Sequence, residues 1–515
     1  MADRSSLAPS PPFAGFGEDA GLDLPPLSPR VEQQIVDRLL SRDFEAWSDA
    51  AARVGHCAHP VKITGHSTRV NATTGEVLSS YSTRGEALGV LHLRCGNRRA
   101  AVCPSCSRLY AADTFQLIRS GVAGGKGVPE HVAENPLVFA TLTAPSFGHV
   151  HGTRNGRRCR PRTDKNSKKA ARCEHGRSTG CMTVHDDQDP LIGQPLCHEC
   201  YDYESHVIWQ WWAPELWRRF TIELKRTLAR RLGVKEARLP RVAVVQYAKV
   251  GEYQRRGLIH FHALVRIDGP KTDGQYAPAP DRVTAQLLAD CIASAAAAIR
   301  FDAPPAFEVD PGRRLAFGVQ VDARPVRTIN RPDDPDQCLS GEQVAGYIAK
   351  YATKSAADTL DGGNNPHLGR VRDMARVLGD IARLRQAEHP TYCAKTGERV
   401  DDPYLLLSKW AHMLGFRGHF SSKSRRYSVT LGALRRARRR WHQVIANNDG
   451  ARLDVADLER QLLAADDDET TLVIGSWEFA GTGWASDGDA VLANAAAARA
   501  REYAQHRAQT KHANK

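Results

Sequence analysis

Between residues 137 and 354 the apolar and polar positions predict an ordered series of strands and helices. Leu137–Thr143 (LVFATLT) is short, apolar and β-prone, and reads as a buried strand. A loop-rich stretch follows. Residues 205–232 then carry apolar positions around much of a helix, with Trp209, Trp211, Trp212 and Trp217 among them. Their spread predicts burial on more than one side, as core rather than as a base-stacking surface. Val242–Tyr247 and Leu258–Ile267 read as two strands joined through turn chemistry near Gly257. A helix at 283–300, a strand at Phe317–Val326 and a short helix at Glu342–Lys354 complete the series. Runs of this kind fit an α+β sandwich built on an antiparallel sheet better than alternating βαβ units.

Outside this region the pattern is less regular. Residues 1–30 are rich in Pro, Ser and Gly and read as a disordered arm. Residues 31–55 have helical spacing, and a cysteine group lies within 57–106. A charged helix is predicted near 367–388. Leu405–Ile445 holds ten Lys or Arg and no acidic residue, and a β-prone segment (TTLVIGSWEFAG) and an Ala-rich helix come last. These divisions predict a helical, cysteine-containing region at 31–130 and a sheet domain at 131–360 with an insertion at about 150–205. A basic, mainly helical region at 361–515 follows. No internal repeat is visible.

Composition adds a partner. The net charge is +13 and the pI about 9.2, an excess that suits a polyanion, most often nucleic acid. No apolar run is long enough to cross a bilayer, and the opening residues lack the apolar stretch of a secretory signal, so a cytoplasmic protein is expected. In a reducing compartment the 12 cysteines are better zinc ligands than disulfide partners. Cys103-Pro-Ser-Cys106 is a knuckle that Cys95 and Cys57 can complete. Cys197-His-Glu-Cys200 is a second. Cys159, Cys173, His175, Cys181 and His185 compete for its other two places, of which Cys173 and Cys181 are preferred. Zinc there would staple an insertion that lacks its own core. Cys291, Cys338 and Cys393 stand alone and are expected to be buried thiols.

His260 and His262 lie two apart on a predicted strand, so both imidazoles share one face with Phe261 on the other. A hairpin turning near Gly257 brings Glu252 beside them, with Gln254, of the same parity, as the alternative third ligand. Two imidazoles and a carboxylate suit Mn²⁺ or Mg²⁺ on a phosphate. By itself an HxH pair is more often two surface histidines. In GEQVAGYIAKYATKSA, Tyr347 and Tyr351 stack four apart on one helix face, with Lys350 and Lys354 at the same interval on an adjacent face. A tyrosine oxygen can attack phosphorus once a metal, base or cation assists it. Alone, such a pair is more often core.

Taken together, Phe139–Thr143, His260-Phe261-His262 and Tyr347–Lys354 occur in the order of the three motifs of HUH endonucleases, and the chain resembles that family. The spacing of Glu252, Gly257, His260 and His262 is similar to the metal motif of geminivirus initiators, and the doubled YxxKYxxK to that of microvirus A proteins. LCHECYDYESHVIWQWWAPELWRRF and HMLGFRGHFSSKSRRYSVTLGALRR are similar to replication initiators of actinobacterial plasmids and integrative conjugative elements. That likeness runs from about residue 50 to about 500. It implies a sheet-centred nicking domain that uses Mn²⁺ or Mg²⁺ and leaves a 5′-phosphotyrosine and a free 3′ hydroxyl for rolling-circle replication. In relatives with a single tyrosine a Glu matches Tyr347, which makes Tyr351 the first nucleophile and Tyr347 the second. The chain has no GKS or GKT phosphate loop, so unwinding would need a host helicase and synthesis a host polymerase. In the basic stretch Arg417, Lys423, Arg425 and Arg426 are candidates to grip phosphates, with Phe416, Phe420 and Tyr427 to stack on bases. An HUH transposase or relaxase would use the same residues, whereas a zinc-containing regulator without catalysis would leave the histidine and tyrosine motifs unexplained.

Overall fold

The computed structural model describes residues 27–161, 172–270, 277–326, 344–348, 365–446, 458, 462 and 471–513. The chain forms two compact units, residues 1–109 with 466–515, and residues 110–465.

In the first unit, α1 (Pro29–Leu39) starts with Pro at its first turn, where a missing N–H costs nothing. α2 (Phe44–Arg53) buries Trp47, Ala50 and Ala51. The strands β1 (Val61–Asn71) and β2 (Val77–Ser82) form an antiparallel pair, and β3 (Leu91–Leu93) pairs with the start of β1. The other edge of β1 is covered by Thr471–Thr482, antiparallel from Val61↔Thr482 to Asn71↔Thr471. The closing helix Asp487–Ala513 returns to α1, where Asp489, almost fully buried, pairs with Arg38 at 2.8 Å. This differs from the division read from the pattern, which placed residues 466–515 with the basic region. A strand that pairs across four hundred residues leaves no local signature.

The second unit is built on a five-stranded sheet. β4 (Leu137–Leu142), β5 (Val244–Tyr253), β6 (Ile259–Asp268) and two flanking strands, Val321–Pro325 and Ser421–Lys423, are all antiparallel. β6 is central, between β5 and β4. One face packs on the long helix Tyr203–Arg231, on Ala285–Ala298 and on Pro366–Glu388, through Phe261, Ala263 and Val265 of β6. The opposite face packs Phe139, Val250 and Leu264 against Ile118 and Val122 of Pro104–Ala123, against Val344, Ala345 and Ile348, and against Tyr427. Because both faces are covered, β6 reads as a nearly continuous apolar run, broken by its two histidines and by Arg266 and Asp268 at its far end.

Trp209, Trp211 and Trp217 are buried as expected, and Trp212 packs at the core's edge. Trp209 donates its indole N–H to the Ala316 carbonyl at 2.8 Å and Trp211 to that of Pro403 at 3.0 Å, whereas the buried Trp217 indole N–H meets no acceptor among the described residues. At the far end of β6, Arg266 is fully buried and makes a bidentate pair with Asp268 at 2.7 and 2.9 Å. Asn135 donates to the same carboxylate at 2.9 Å, and Arg266 also donates to the Gly121 carbonyl, tying Pro104–Ala123 to the sheet. Among the described residues no helix is long and apolar enough to cross a membrane.

Candidate metal centre and nucleophile

The hairpin register sets Glu252 directly opposite His260, and Val250 opposite His262. Its turn depends on Gly257, at φ +79°. A Cβ there would meet Leu368 at 2.7 Å and Leu414 at 2.9 Å. Glu252 Oε2 lies 3.2 Å from His260 Nε2 and 3.3 Å from His262 Nε2, so three ligand atoms converge on one point. Gln254, the alternative, instead accepts from Arg256 Nε at 2.8 Å and stands outside the group.

One contributor was not singled out in the sequence. Thr141 of β4 is opposite His262, and its hydroxyl is 3.0 Å from His262 Nδ1. With Nδ1 engaged, Nε2 is the nitrogen turned to Glu252, which is the outer-shell arrangement a metal-ligating histidine needs. The short apolar strand therefore carries part of the site's chemistry and not only the fold. Burial is the main cause holding the His260 pKa below its usual value, which favours the neutral imidazole a metal requires. One carboxylate and two imidazoles thus form a set that could hold a divalent cation with open positions for other ligands.

Tyr347 stands at this group. Residues 344–348 are helical, and the Tyr347 ring meets His262 edge-on at 5.5 Å between centroids and Phe139 at 5.7 Å. It is 41% exposed, so it is not a buried core residue. Lys350, Tyr351 and Lys354 lie outside the described residues.

The cysteines gather into groups that could hold zinc. Ligand atoms ~2.0–2.3 Å from a tetrahedral centre stand ~3.3–3.8 Å apart. Cys57, Cys95, Cys103 and Cys106 come together as expected, with Cys57 Sγ 3.7 Å from Cys103 Sγ and 3.6 Å from Cys106 Sγ. The Cys95 N–H points at the Cys57 sulfur and the Asn97 N–H at that of Cys95. In the insertion, Cys173, Cys197 and Cys200 are joined by His175, whose Nδ1 is 3.2 Å from Cys200 Sγ. Cys181, preferred as the fourth member, is elsewhere: its main chain pairs with Arg160, which sets it beside Cys159, His151 and His185. Spacing along a loop cannot reveal such a crossing, nor that His151 joins it. Cys291 is buried, but Cys393 is only half-buried in a short exposed hairpin, and Cys338 lies outside the described residues.

The basic stretch is more structural than its composition suggests. Ser421–Lys423 is an edge strand on β5. Phe416 and Tyr427, expected to stack on bases, are fully buried, the first in the main core and the second 5.3 Å from Arg266. Phe420 packs against Tyr253 and Phe416. The Arg417 guanidinium lies 4.2 Å from the Trp211 ring centroid and 5.2 Å from that of Trp212. The Lys423 ammonium donates to the carbonyls of Ser424, Arg425 and Ser428 at 3.4, 3.2 and 2.9 Å, and burial lowers its pKa to about 8. Arg425 is exposed and Arg426 half-buried.

Residues 43–498 match the family described as RepSA, replication initiator protein, pSAM2. A protein of Streptomyces ambofaciens named replication initiator protein is 40% identical over 461 residues, 88% of this chain and 89% of that one. No solved structure matches.

Proposed function

The chain belongs to the pSAM2 family of replication initiator proteins, and we propose that it starts rolling-circle replication by nicking one strand of an origin. In this reading the scissile phosphate is placed against Glu252, His260 and His262, which would hold Mn²⁺ or Mg²⁺. A divalent ion held by these residues would supply positive charge to polarise a phosphate oxygen and offset charge in the transition state. The Tyr351 oxygen attacks phosphorus and gives up its proton, and the bond from phosphorus to the 3′ oxygen breaks. A 5′-phosphotyrosine and a free 3′ hydroxyl result. Lys350 and Lys354 supply positive charge beside the phosphate, and Tyr347 performs the second transfer that closes the circle. Arg425, Arg426, Arg417 and Lys423 line the basic stretch through which DNA would be held, the first two by direct phosphate contact. Zinc in the Cys57 and Cys173 groups staples loops. A host helicase and polymerase, in the cytoplasm, complete replication.

The observation that carries this reading is the edge-on contact between Tyr347 and His262, which brings the start of the YxxKYxxK segment to the three converging ligand atoms. The same contact favours a second reading in which Tyr347 cuts first and Tyr351 second.

To test the proposal, the protein is incubated with Mn²⁺ and supercoiled DNA carrying its own gene and flanks, then run on a denaturing gel. A covalent adduct should form, fail to form when EDTA is present from the start, and fall by about 100-fold or more in His260→Ala and His262→Ala. Tight DNA binding without any adduct, under every divalent metal tried, would replace the enzyme with a zinc-containing DNA-binding regulator.

A further inference from the structure

We propose that His151, Cys159, Cys181 and His185 form a second zinc site in the insertion, and that this zinc fixes the loop bracing the β5–β6 turn. The ligand atoms lie within 4.8 Å of one another. His185 Nε2 is 3.2 Å from His151 Nδ1 and 3.3 Å from Cys181 Sγ, and Cys159 Sγ is 4.0 Å from His151 Nδ1. These are close to the edges of a zinc tetrahedron, ~3.3–3.8 Å. Two thiolates and two imidazoles form a closed set suited to structural zinc.

Two further features distinguish the cluster from an accidental meeting. Asp189 Oδ2 is 2.6 Å from His185 Nδ1, so a carboxylate orients the ring and leaves Nε2 toward the other ligands. A carboxylate behind a ligating histidine raises its basicity and fixes its tautomer. The Gly152 N–H also points at the Cys159 sulfur, at 3.3 Å, as amides do toward thiolates. Cys159 and His185 are buried, so these ligand atoms are held together away from water.

The site is linked to the turn through the main chain. The His151 N–H donates to the Gln194 carbonyl and the Gly193 N–H to that of His151, both at 2.9 Å. Gly193, at φ +86°, lies against the backbone of the turn: a Cβ would sit 2.5 Å from the carbonyl carbon of Arg255 and 2.7 Å from the nitrogen of Arg256. Arg255 reaches back to the Asp189 carbonyl at 3.5 Å. The metal cluster, the 189–194 loop and the turn between Glu252 and His260 are thus one connected block.

Zinc counted by mass spectrometry on the full chain tests the site. Cys159→Ser/Cys181→Ser should hold one zinc fewer than the wild type, His175→Ala/Cys200→Ser also one fewer, and the two losses should add. If Cys159 and Cys181 could be changed together without loss of zinc, or if the two losses coincided, the separate site would be refuted. Should the double variant fail to fold, Asp189→Asn keeps all four ligands: its zinc should pass to a chelator ~10–100-fold more readily than in wild type. Unchanged release would count against the site. Amide hydrogen exchange reads the brace. Protection of Gln254 and Gly257, which bond to Leu258 and Gln254, should fall when this zinc alone is lost, and unchanged protection would sever the site from the turn.

Discussion

Thr141 decides which nitrogen of His262 faces Glu252, because its hydroxyl takes up Nδ1 at 3.0 Å. Valine has nearly the same shape and suits a strand, but has no hydroxyl. Thr141→Val should therefore weaken Mn²⁺ binding ~10–100-fold in a calorimetric titration while leaving the fold intact. An unchanged affinity would make the contact incidental. His367 offers a test in pH. Its Nε2 donates to the Arg256 carbonyl at 3.0 Å and its Nδ1 lies 3.2 Å from the Tyr203 hydroxyl, while burial lowers its pKa to about 4. The unfolded chain takes up that proton near pH 6.5 and the folded chain does not until about pH 4. Stability is therefore complete above pH 6.5 and falls as the pH drops toward 4. Between pH 7 and 5 this one group should cost about 2 kcal/mol, and His367→Gln should flatten that part of the denaturation profile. Neither role could be read from the sequence. A threonine in an apolar strand looks the same on either face, and a lone histidine shows no sign of the packing that will bury it.

At the scale of elements, the alternation of apolar positions made the hairpin legible, and with it the meeting of Glu252, His260 and His262. The parity of β6 and the glycine at 257 together leave few other registers. The long helices were equally clear, since the tryptophans of Tyr203–Arg231 repeat around it. The pair Arg266–Asp268 was not legible, because two charged residues at the end of a strand usually face water. Here they are buried, and removing one partner should be severe. Asp268→Asn leaves a buried guanidinium without its carboxylate and should cost ~3–5 kcal/mol in urea denaturation. Replacing both residues by apolar ones of similar volume should cost less. The basic stretch shows the opposite error. Composition alone credited Phe416 and Tyr427 with base stacking, but in a chain whose sheet needs an edge strand and a filled second face their rings are core.

For the whole molecule, the main lesson is that chain order and spatial order part company. The first unit draws on both ends of the chain, through the pairing of β1 with Thr471–Thr482. A chain truncated after residue 465 should lose protection from hydrogen exchange along Val61–Asn71 while keeping it along β6. Equal protection in both would mean that β1 does not depend on its distant partner. The central claim concerns the second unit: a tyrosine of the 347–354 segment attacks DNA held at the Glu252, His260 and His262 group. Its most direct test is to digest the covalent protein–DNA product and sequence the nucleotide-bearing peptide by mass spectrometry. A nucleotide is expected on Tyr351, with Tyr347 labelled when Tyr351 is changed to Phe. A nucleotide on any residue outside this pair, or none on the protein while the DNA is nevertheless nicked, would contradict it.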